Sequence, residues 1–381
     1  PKNRNPKRRD RNLYVEKIEI LIPQGLDLSF RKTRLRLLGE SETQNIKDHH
    51  ALFSFKKWLP RIYRIELTEK DFAKHEFFFR DMRAKGLSSI EAVRETFKAA
   101  LISPRFIFRE ESMEFEKPDK IDEFALAHRL SYFLWSSVPD DTLWELAKNR
   151  ELRKNLKKEF LRMLSDPKLN AFIENFSGQW LQLRDLKLTS PNPDQFPEFS
   201  DSVRVSMIRE TEEFFKYLLM ENLPVDTLLS ANFSMVNQEL AKFYGLPGNF
   251  TEEFQRVVFT GEDLAKRGGI LTHGSILAIT SNPTRTSPVK RGKWVLENLL
   301  AAPPREPPPN VTELEEPITK GNRVLTLREQ MAQHSKNPMC YSCHASMDNL
   351  GYAMENFNAI GKWRTEEDGM PLDVFGKLSS G

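Results

Sequence analysis

Cys340-Tyr341-Ser342-Cys343-His344 has the most decisive spacing in this 381-residue chain, because the chain has two cysteines and both lie in this segment. C-x-x-C-H is the pattern through which a c-type haem is attached to a protein. On a helix, positions i, i+3 and i+4 share one face, so the segment would present two thiols and one imidazole together. We therefore predict one covalently bound haem c in a small cytochrome c-like module, with thioether bonds to Cys340 and Cys343 and with His344 as the proximal ligand of the iron.

The ligand on the other side of the iron decides between electron transfer and small-molecule chemistry. Met347 follows His344 by three residues and lies on the same side, so it cannot reach the opposite face of the ring. An open position also remains among the alternatives. The candidate residues for the sixth position are Met354, Met370, His334 and His273.

Two other functions of the cysteine pair, a zinc site and a thiol–disulfide redox pair, are alternatives to haem attachment. A zinc site would need adjacent Cys343 and His344 to bind one tetrahedral ion, and the chain has no second cysteine pair to complete it. A thiol–disulfide redox pair would need a strand before the motif, whereas the preceding stretch LREQMAQHSKNPM indicates a helix and a loop. Both alternatives fit the sequence less well than haem.

Composition bounds the class of protein. Hydrophobic residues make up 39% and charged residues 29%, which is typical of a globular protein with a sizeable core. The net charge of +3 gives no general argument for nucleic acid. No run approaches the roughly 18 apolar residues of a membrane span. Because bacteria attach haem c outside the cytoplasm, we expect a periplasmic or otherwise extracytoplasmic protein, and we expect these residues to be part of a longer precursor.

The predicted fold class is mainly α: a multi-helical body with a residual N-terminal β-strand segment and a small C-terminal haem module. Residues 12–22 alternate with the strand period. A proline-rich stretch indicates a stiff linker before the module. The predicted divisions are 1–50 (end of an N-terminal β domain plus irregular linker), 51–115 (helical segment), 116–302 (helical body), 303–311 (linker) and 312–381 (haem c-binding module).

Helical periodicity and capping residues predict the elements of the body. Ser88 and Glu91 form a capping box, and Asp122 caps the helix that follows it. A short strand is predicted at 254–259. The predicted helices are 69–84, 91–102, 123–135, 140–148, 151–165, 169–183, 201–222, 236–244, 264–281 and 290–300.

Two charged clusters were considered as further sites. Glu210, Glu212 and Glu213 alternate with basic residues, which is typical of a solvated helix face. Arg285 and Arg291 lie in a loop rich in hydroxyl side chains and could bind haem propionates or an anionic partner. A rigid connection between elements is the equal alternative for that loop.

Three segments together resemble a family of exported, multidomain, planctomycete-type cytochrome c-like proteins, built from domains of unknown function with a C-terminal C-x-x-C-H motif. The resemblance covers nearly the whole chain, from about residue 12 to 378. It is carried by RLSYFLWSSVPDDTLWELA (129–147), NPTRTSPVKRGKWVLENLL with the tail PPREPPPNV (282–311), and CYSCHASMDNLGYAMENFNAIGKWR (340–364).

The resemblance implies haem attachment at Cys340 and Cys343 with His344 as ligand, and it implies no known reaction. The chain departs from the family pattern at Asn349, usually proline, and at Asn358, usually aspartate; the first change is expected to loosen a turn. We expect an exported electron-transfer protein that works with redox partner proteins or a membrane-associated complex and that forms an oligomeric assembly. The alternatives are a scaffold subunit with vestigial or no haem, and a haem-dependent oxidoreductase.

Overall fold

The protein is mainly helical, as predicted, with a few short strands. The predicted N-terminal strand at 12–22 lies outside the residues that are described. The structure, a computed structural model, describes residues 31–39, 46–109, 111, 113–114, 117–305, 319–320, 323–335 and 338–376.

Helices account for most of the described chain. They are α1 (Arg31–Leu38), α2 (Asp48–Tyr63), α3 (Glu69–Ala84), α4 (Ser89–Leu101), α5 (Pro104–Ile107), α6 (Glu123–Trp135), α7 (Asp141–Lys148), α8 (Leu156–Leu164), α9 (Asn170–Trp180), α10 (Asp201–Met220), α11 (Thr227–Ser230), α12 (Gln238–Tyr244), α13 (Gly261–Lys266), α14 (Gly274–Ile279), α15 (Pro288–Asn298), α16 (Leu327–His334) and α17 (Pro338–Tyr352).

The strands form small antiparallel pairs, each between consecutive strands. The strand predicted at 254–259 is confirmed as β4, and its partner β3 was not predicted from the sequence. The strands are β1 (Met113–Glu114), β2 (Lys117–Ile121), β3 (Phe233–Val236), β4 (Gln255–Val258), β5 (Thr319–Lys320), β6 (Arg323–Val324), β7 (Glu366–Glu367) and β8 (Met370–Pro371).

Capping side chains set where two of the predicted helices begin. The Glu91 carboxylate accepts a hydrogen bond from the Ser88 backbone N–H at 2.8 Å, and the Ser88 hydroxyl accepts one from the Glu91 N–H at 3.4 Å. Asp122 accepts from the Ala125 N–H at 2.7 Å. These bonds satisfy N–H groups that the first turn of a helix leaves unpaired, so both predicted caps are confirmed.

The continuous helix predicted at 264–281 is wrong. The helical path breaks between α13 and α14 at Gly268-Gly269, where Gly269 has a φ of +66°. A Cβ at Gly269 would overlap the backbone carbonyl of Leu229. The chain therefore needs glycine here both for the left-handed conformation and for the close approach of another segment.

One compact unit contains the described parts of residues 1–128 together with 141–153. Its core includes Phe55, whose ring packs edge-on against two other phenylalanines at 5.6 Å. Residues 141–153 belong to this unit because Trp144 packs against Phe124 at 4.9 Å and Arg153 pairs with Glu123 at 3.5 Å. The unit therefore extends past the boundary predicted between residues 115 and 116.

The second compact unit contains residues 129–140 and the described parts of 154–381. Phe214 of α10 and Trp294 of α15 lie in its core. Met354 and Phe357, which follow α17, belong to the same core. The described C-terminal residues that follow α17 therefore share their hydrophobic core with the helical body.

Glycines bring α15 and α17 into backbone contact. A Cβ at Gly292 would overlap the carbonyl oxygen of Met347, and a Cβ at Gly351 would overlap that of Pro288. From Pro288 to Gly292 the chain advances four residues along α15, while the contacted position on α17 moves back four residues, from Gly351 to Met347. The two helices therefore run antiparallel. Because these glycines have no side chains, the backbones of α15 and α17 approach more closely than any larger residue would allow.

A buried ion pair reinforces this contact. Arg291 of α15 is completely buried and donates from Nη1 to Glu355 Oε1 and to the Met354 carbonyl, both at 2.7 Å. The other Glu355 oxygen accepts from Arg364 Nη2 at 3.0 Å. These bonds fix the chain that leaves α17, because the buried charges must stay paired.

We predict that Gly292→Ala destabilises the protein by about 2 kcal/mol or more, since the new methyl group forces α15 away from α17. The measurement is the urea midpoint of unfolding. Gly178→Ala is the matched control, because Gly178 is also a buried helical glycine and its Cβ would meet the flexible Arg184 side chain at 3.4 Å. The control should be neutral or stabilising. Equal midpoints for the two variants would contradict the close packing.

We predict that Glu355→Gln lowers the free energy of unfolding by about 3 kcal/mol, because it leaves Arg291 buried without its counter-charge. Chemical denaturation measures this loss. Glu198→Gln is the control: Glu198 pairs with Lys362 at 3.1 Å in an exposed position. An exposed pair contributes under about 1 kcal/mol. A loss at Glu355 no larger than that at Glu198 would show that the buried pair does not hold the segment.

Candidate functional site

The C-x-x-C-H segment lies on a helix, α17, which was not among the helices predicted from the sequence. Cys340, Cys343 and His344 all fall in the N-terminal half of α17, at positions i, i+3 and i+4. The side chains of the two cysteines are outside the described residues, whereas that of His344 is described. Helical geometry therefore places the three positions on one face of α17.

His344 is held by an acidic residue one turn later. Its Nδ1 lies 3.0 Å from Oδ1 and 3.1 Å from Oδ2 of Asp348, and both side chains are largely buried. The i, i+4 spacing brings the two side chains together on the helix surface. An ionised carboxylate only accepts hydrogen bonds, so Nδ1 carries the proton in this pair. Asp348 was not among the site residues predicted from the sequence, although its i, i+4 spacing from His344 indicates such a pair.

The electrostatics of the pair favour a positive or metal-bound imidazole. The hydrogen bond to Asp348 raises the pKa of His344 above its usual value, although partial burial acts in the opposite direction. An iron bond at Nε2 would use the ring nitrogen that does not bind Asp348. The described side chain of His344 therefore fits the axial ligand of a haem, with the Asp348 carboxylate setting the orientation of the ring.

The glycine contact with α15 limits where a cofactor could lie. Positions 340, 344, 347 and 351 form one stripe along α17, and α15 contacts the backbone at Met347 and Gly351. The predicted ligand positions 340 and 344 lie in the N-terminal half of α17, whereas packing against α15 uses the C-terminal half of this face.

The candidates for the sixth ligand have different surroundings. Met354 is buried in the hydrophobic core of the second unit. Met370 lies in β8 and lines a cavity of about 400 Å³ together with Arg328 and Tyr352. His334 is the last residue of α16, and its side chain is outside the described residues. The identity of the sixth ligand stays a prediction.

His273 is part of a buried polar network. Its Nδ1 lies 3.0 Å from the Thr211 hydroxyl, and its Nε2 lies 3.3 Å from the Ser234 hydroxyl. Burial lowers the pKa of His273. An iron bond would require His273 to give up one of these hydroxyl partners.

The interpretation of Glu210 as part of a solvated face is wrong. Glu210 is buried and accepts hydrogen bonds from the Ser234 hydroxyl at 2.8 Å and from the Tyr244 hydroxyl at 2.6 Å. Its position follows from the periodicity of α10, because Glu210 lies seven residues after Val203 and four before Phe214, both of which are buried. The apolar stripe could have identified Glu210 as inward-facing, whereas the run of charges concealed it.

The two arginines proposed as propionate ligands lie in different surroundings. Arg291 is completely buried and paired with Glu355, and burial lowers its pKa to about 10. Its guanidinium is thus already bound to an internal carboxylate, with which a propionate would have to compete. Arg285 is partly buried in the loop before α15, and its Nη1 donates to the Thr286 carbonyl at 3.4 Å.

The structure explains how two departures from the family pattern are accommodated. Asn349 lies inside α17, which continues to Tyr352, so the loosened turn expected at this position is not observed. Asn358 accepts hydrogen bonds from the backbone N–H groups of Ile360 and Lys362 through Oδ1. An asparagine oxygen is sufficient for this turn, because the acceptor needs no charge.

Among the described residues, no cluster of three or more histidine, cysteine, aspartate or glutamate side chains is arranged to hold a metal ion. This statement does not extend to the thiols of Cys340 and Cys343. None of the helices in the described part of the chain has the length and apolar character needed to cross a membrane.

We predict that Asp348→Asn lowers the pKa of His344, because the carboxylate that stabilises the charged imidazole is lost. The raised pKa in the folded state means that the pair stabilises the fold below about pH 6.5, the ordinary value for histidine, and that this stabilisation disappears as the pH rises through the folded-state pKa. Asp348→Asn should therefore cost more stability at pH 5.5 than at pH 8.5.

Nuclear magnetic resonance titration of the His344 ring in the haem-free chain measures this shift. Asp373→Asn is the control, since Asp373 is paired with Arg328 at 3.2 Å. An unchanged His344 titration in Asp348→Asn would contradict the assigned pair.

Two regions of the chain match models of protein families. Residues 121–246 match the model PSD4, described as a protein of unknown function (DUF1592), and residues 267–367 match PSCyt3, described as a protein of unknown function (DUF1588). Both are planctomycete-type domains of unknown function that are associated with cytochrome c by name. No curated protein matches the chain, and no solved structure matches it.

Proposed function

We propose that this chain is an exported c-type haem protein that transfers electrons, with one haem c bound covalently through Cys340 and Cys343. His344 is the proximal ligand of the iron. The observation that carries the proposal is the combination of the C-x-x-C-H spacing on α17 with the hydrogen bond between His344 and Asp348. The cytochrome-associated names of the two matched families agree with it.

The residues around α17 have separate tasks in this proposal. The haem, when bound, supplies one-electron chemistry. Cys340 and Cys343 hold it to the helix, and Asp348 keeps the His344 ring in one orientation and one tautomer. The contact at Gly292 immobilises α17, so the ligand position changes little when the charge of the site changes.

The location and partners of the protein follow from this chemistry. Covalent haem attachment implies a periplasmic or otherwise extracytoplasmic location. A carrier of single electrons needs a donor and an acceptor, so we propose redox partner proteins or a membrane-associated complex. The helical body is far larger than one haem requires, which supports an additional role in docking or assembly.

A haem-dependent oxidoreductase is a second candidate, favoured by the carboxylate at His344. A proximal histidine that donates to a carboxylate gives the iron more electron density, which suits chemistry at an open sixth position. Carbon monoxide binding to the reduced protein distinguishes the two functions. Binding without prior ligand displacement would favour the enzyme, and a six-coordinate spectrum that resists carbon monoxide would favour electron transfer.

Haem attachment is tested by producing the chain in a bacterial periplasm together with a c-type haem maturation system. We predict that intact-mass measurement shows one added haem, and that the haem remains bound after denaturation. A Cys340→Ser/Cys343→Ser double variant should lose the denaturation-resistant haem. Ser342→Ala is the matched control, since it changes the same segment without removing a thiol or the histidine.

Wild-type chain that folds and carries no haem, with two free thiols, would contradict the proposal. That result would leave the scaffold function, which a stoichiometric partner without redox activity would support.

A further inference from the structure

We infer that Asp348 is a positioning residue that lowers the reduction potential of the haem by accepting a hydrogen bond from the Nδ1–H group of His344. The inference rests on the proposed function, since it concerns the iron that His344 would bind. It goes further by assigning the direction of the effect: relative to a neutral residue, the carboxylate favours the oxidised state and lowers the reduction potential.

The geometry of the pair supports this assignment. The two Asp348 oxygens lie 3.0 Å and 3.1 Å from Nδ1, so the carboxylate faces the ring nitrogen nearly symmetrically. The side chains are 15% and 10% exposed, so water screens the interaction only in part. Because both residues belong to one helix, the contact does not depend on the movement of another element.

Helix stability alone gives a poor account of an aspartate at this position. Aspartate has low helix propensity, and Asp348 lies in the interior of α17. Its side chain is buried, and an ionised carboxylate is costly to bury without a partner. Within the described part of the chain, the ion pair of Asp348 is with His344. The residue is therefore explained by what it does to the imidazole.

The electronic consequence has a definite sign. A carboxylate that accepts the Nδ1 proton gives the imidazole partial anionic character and strengthens donation from Nε2. The negative charge would also lie just across the imidazole ring from an iron bound at Nε2. Both effects stabilise the ferric form over the ferrous form, and the reduction potential falls. Each tenfold preference for the ferric form corresponds to 59 mV for one electron.

The experiment is a spectroelectrochemical titration of the haem-loaded full chain. We expect Asp348→Asn to reduce the equilibrium preference for the ferric over the ferrous form at least tenfold. This change corresponds to a rise of 59 mV or more in the midpoint potential. Asp348→Glu keeps the charge and should restore most of the wild-type value. Asp348→Ser provides a second neutral variant that is smaller than the native residue, in case the asparagine variant does not fold.

Asp373→Asn is the control for charge alone, because it removes one carboxylate that is bound to Arg328 and leaves the His344 pair intact. A potential in the neutral Asp348 variants equal to wild type would overturn the inference, and so would an equal shift in Asp373→Asn. These outcomes differ from failure of the proposed function, in which the wild-type chain would carry no covalent haem to titrate.

Discussion

The contact between the backbones of α15 and α17 is the constraint on which the rest of the C-terminal structure depends. Gly292 and Gly351 let each helix approach the carbonyl groups of the other, and this distance leaves no room for a side chain. The contact holds the cysteine- and histidine-bearing helix against the helical body. It also places Arg291 where Glu355 can neutralise it in the core. Packing and charge pairing therefore reinforce one arrangement.

Buried polar groups join the two regions that match different family models. His273, from the second region, contacts Thr211 and Ser234 from the first. Arg267 donates to the Gly361 carbonyl and packs over the Tyr244 ring at 3.5 Å. Such groups are costly to bury without partners, so separating the regions would expose or orphan them. The described parts of residues 154–246 and 267–367 are accordingly one compact unit.

The candidate site combines a closely packed helix with a largely buried polar pair. The glycine contact fixes the helix, and the Asp348 carboxylate fixes the ring of His344 on that helix. In the proposed function, an imidazole held in this way would need little rearrangement when the charge of a bound iron changes. The buried Asp348 carboxylate is thus paired with His344, as the buried Arg291 of the helical body is paired with Glu355.

The sequence by itself determined the features that depend on neighbours along the chain. It predicted the mainly helical class and the caps at Ser88 and Asp122, because periodicity and capping are local. Only the tertiary structure decided that the C-terminal segment joins the helical body, that Glu210 is buried and that Arg291 binds Glu355. Those outcomes depend on which surfaces meet between segments that are far apart in the sequence. The sequence around a carboxylate or an arginine is the same whether its partner is water or another buried charge.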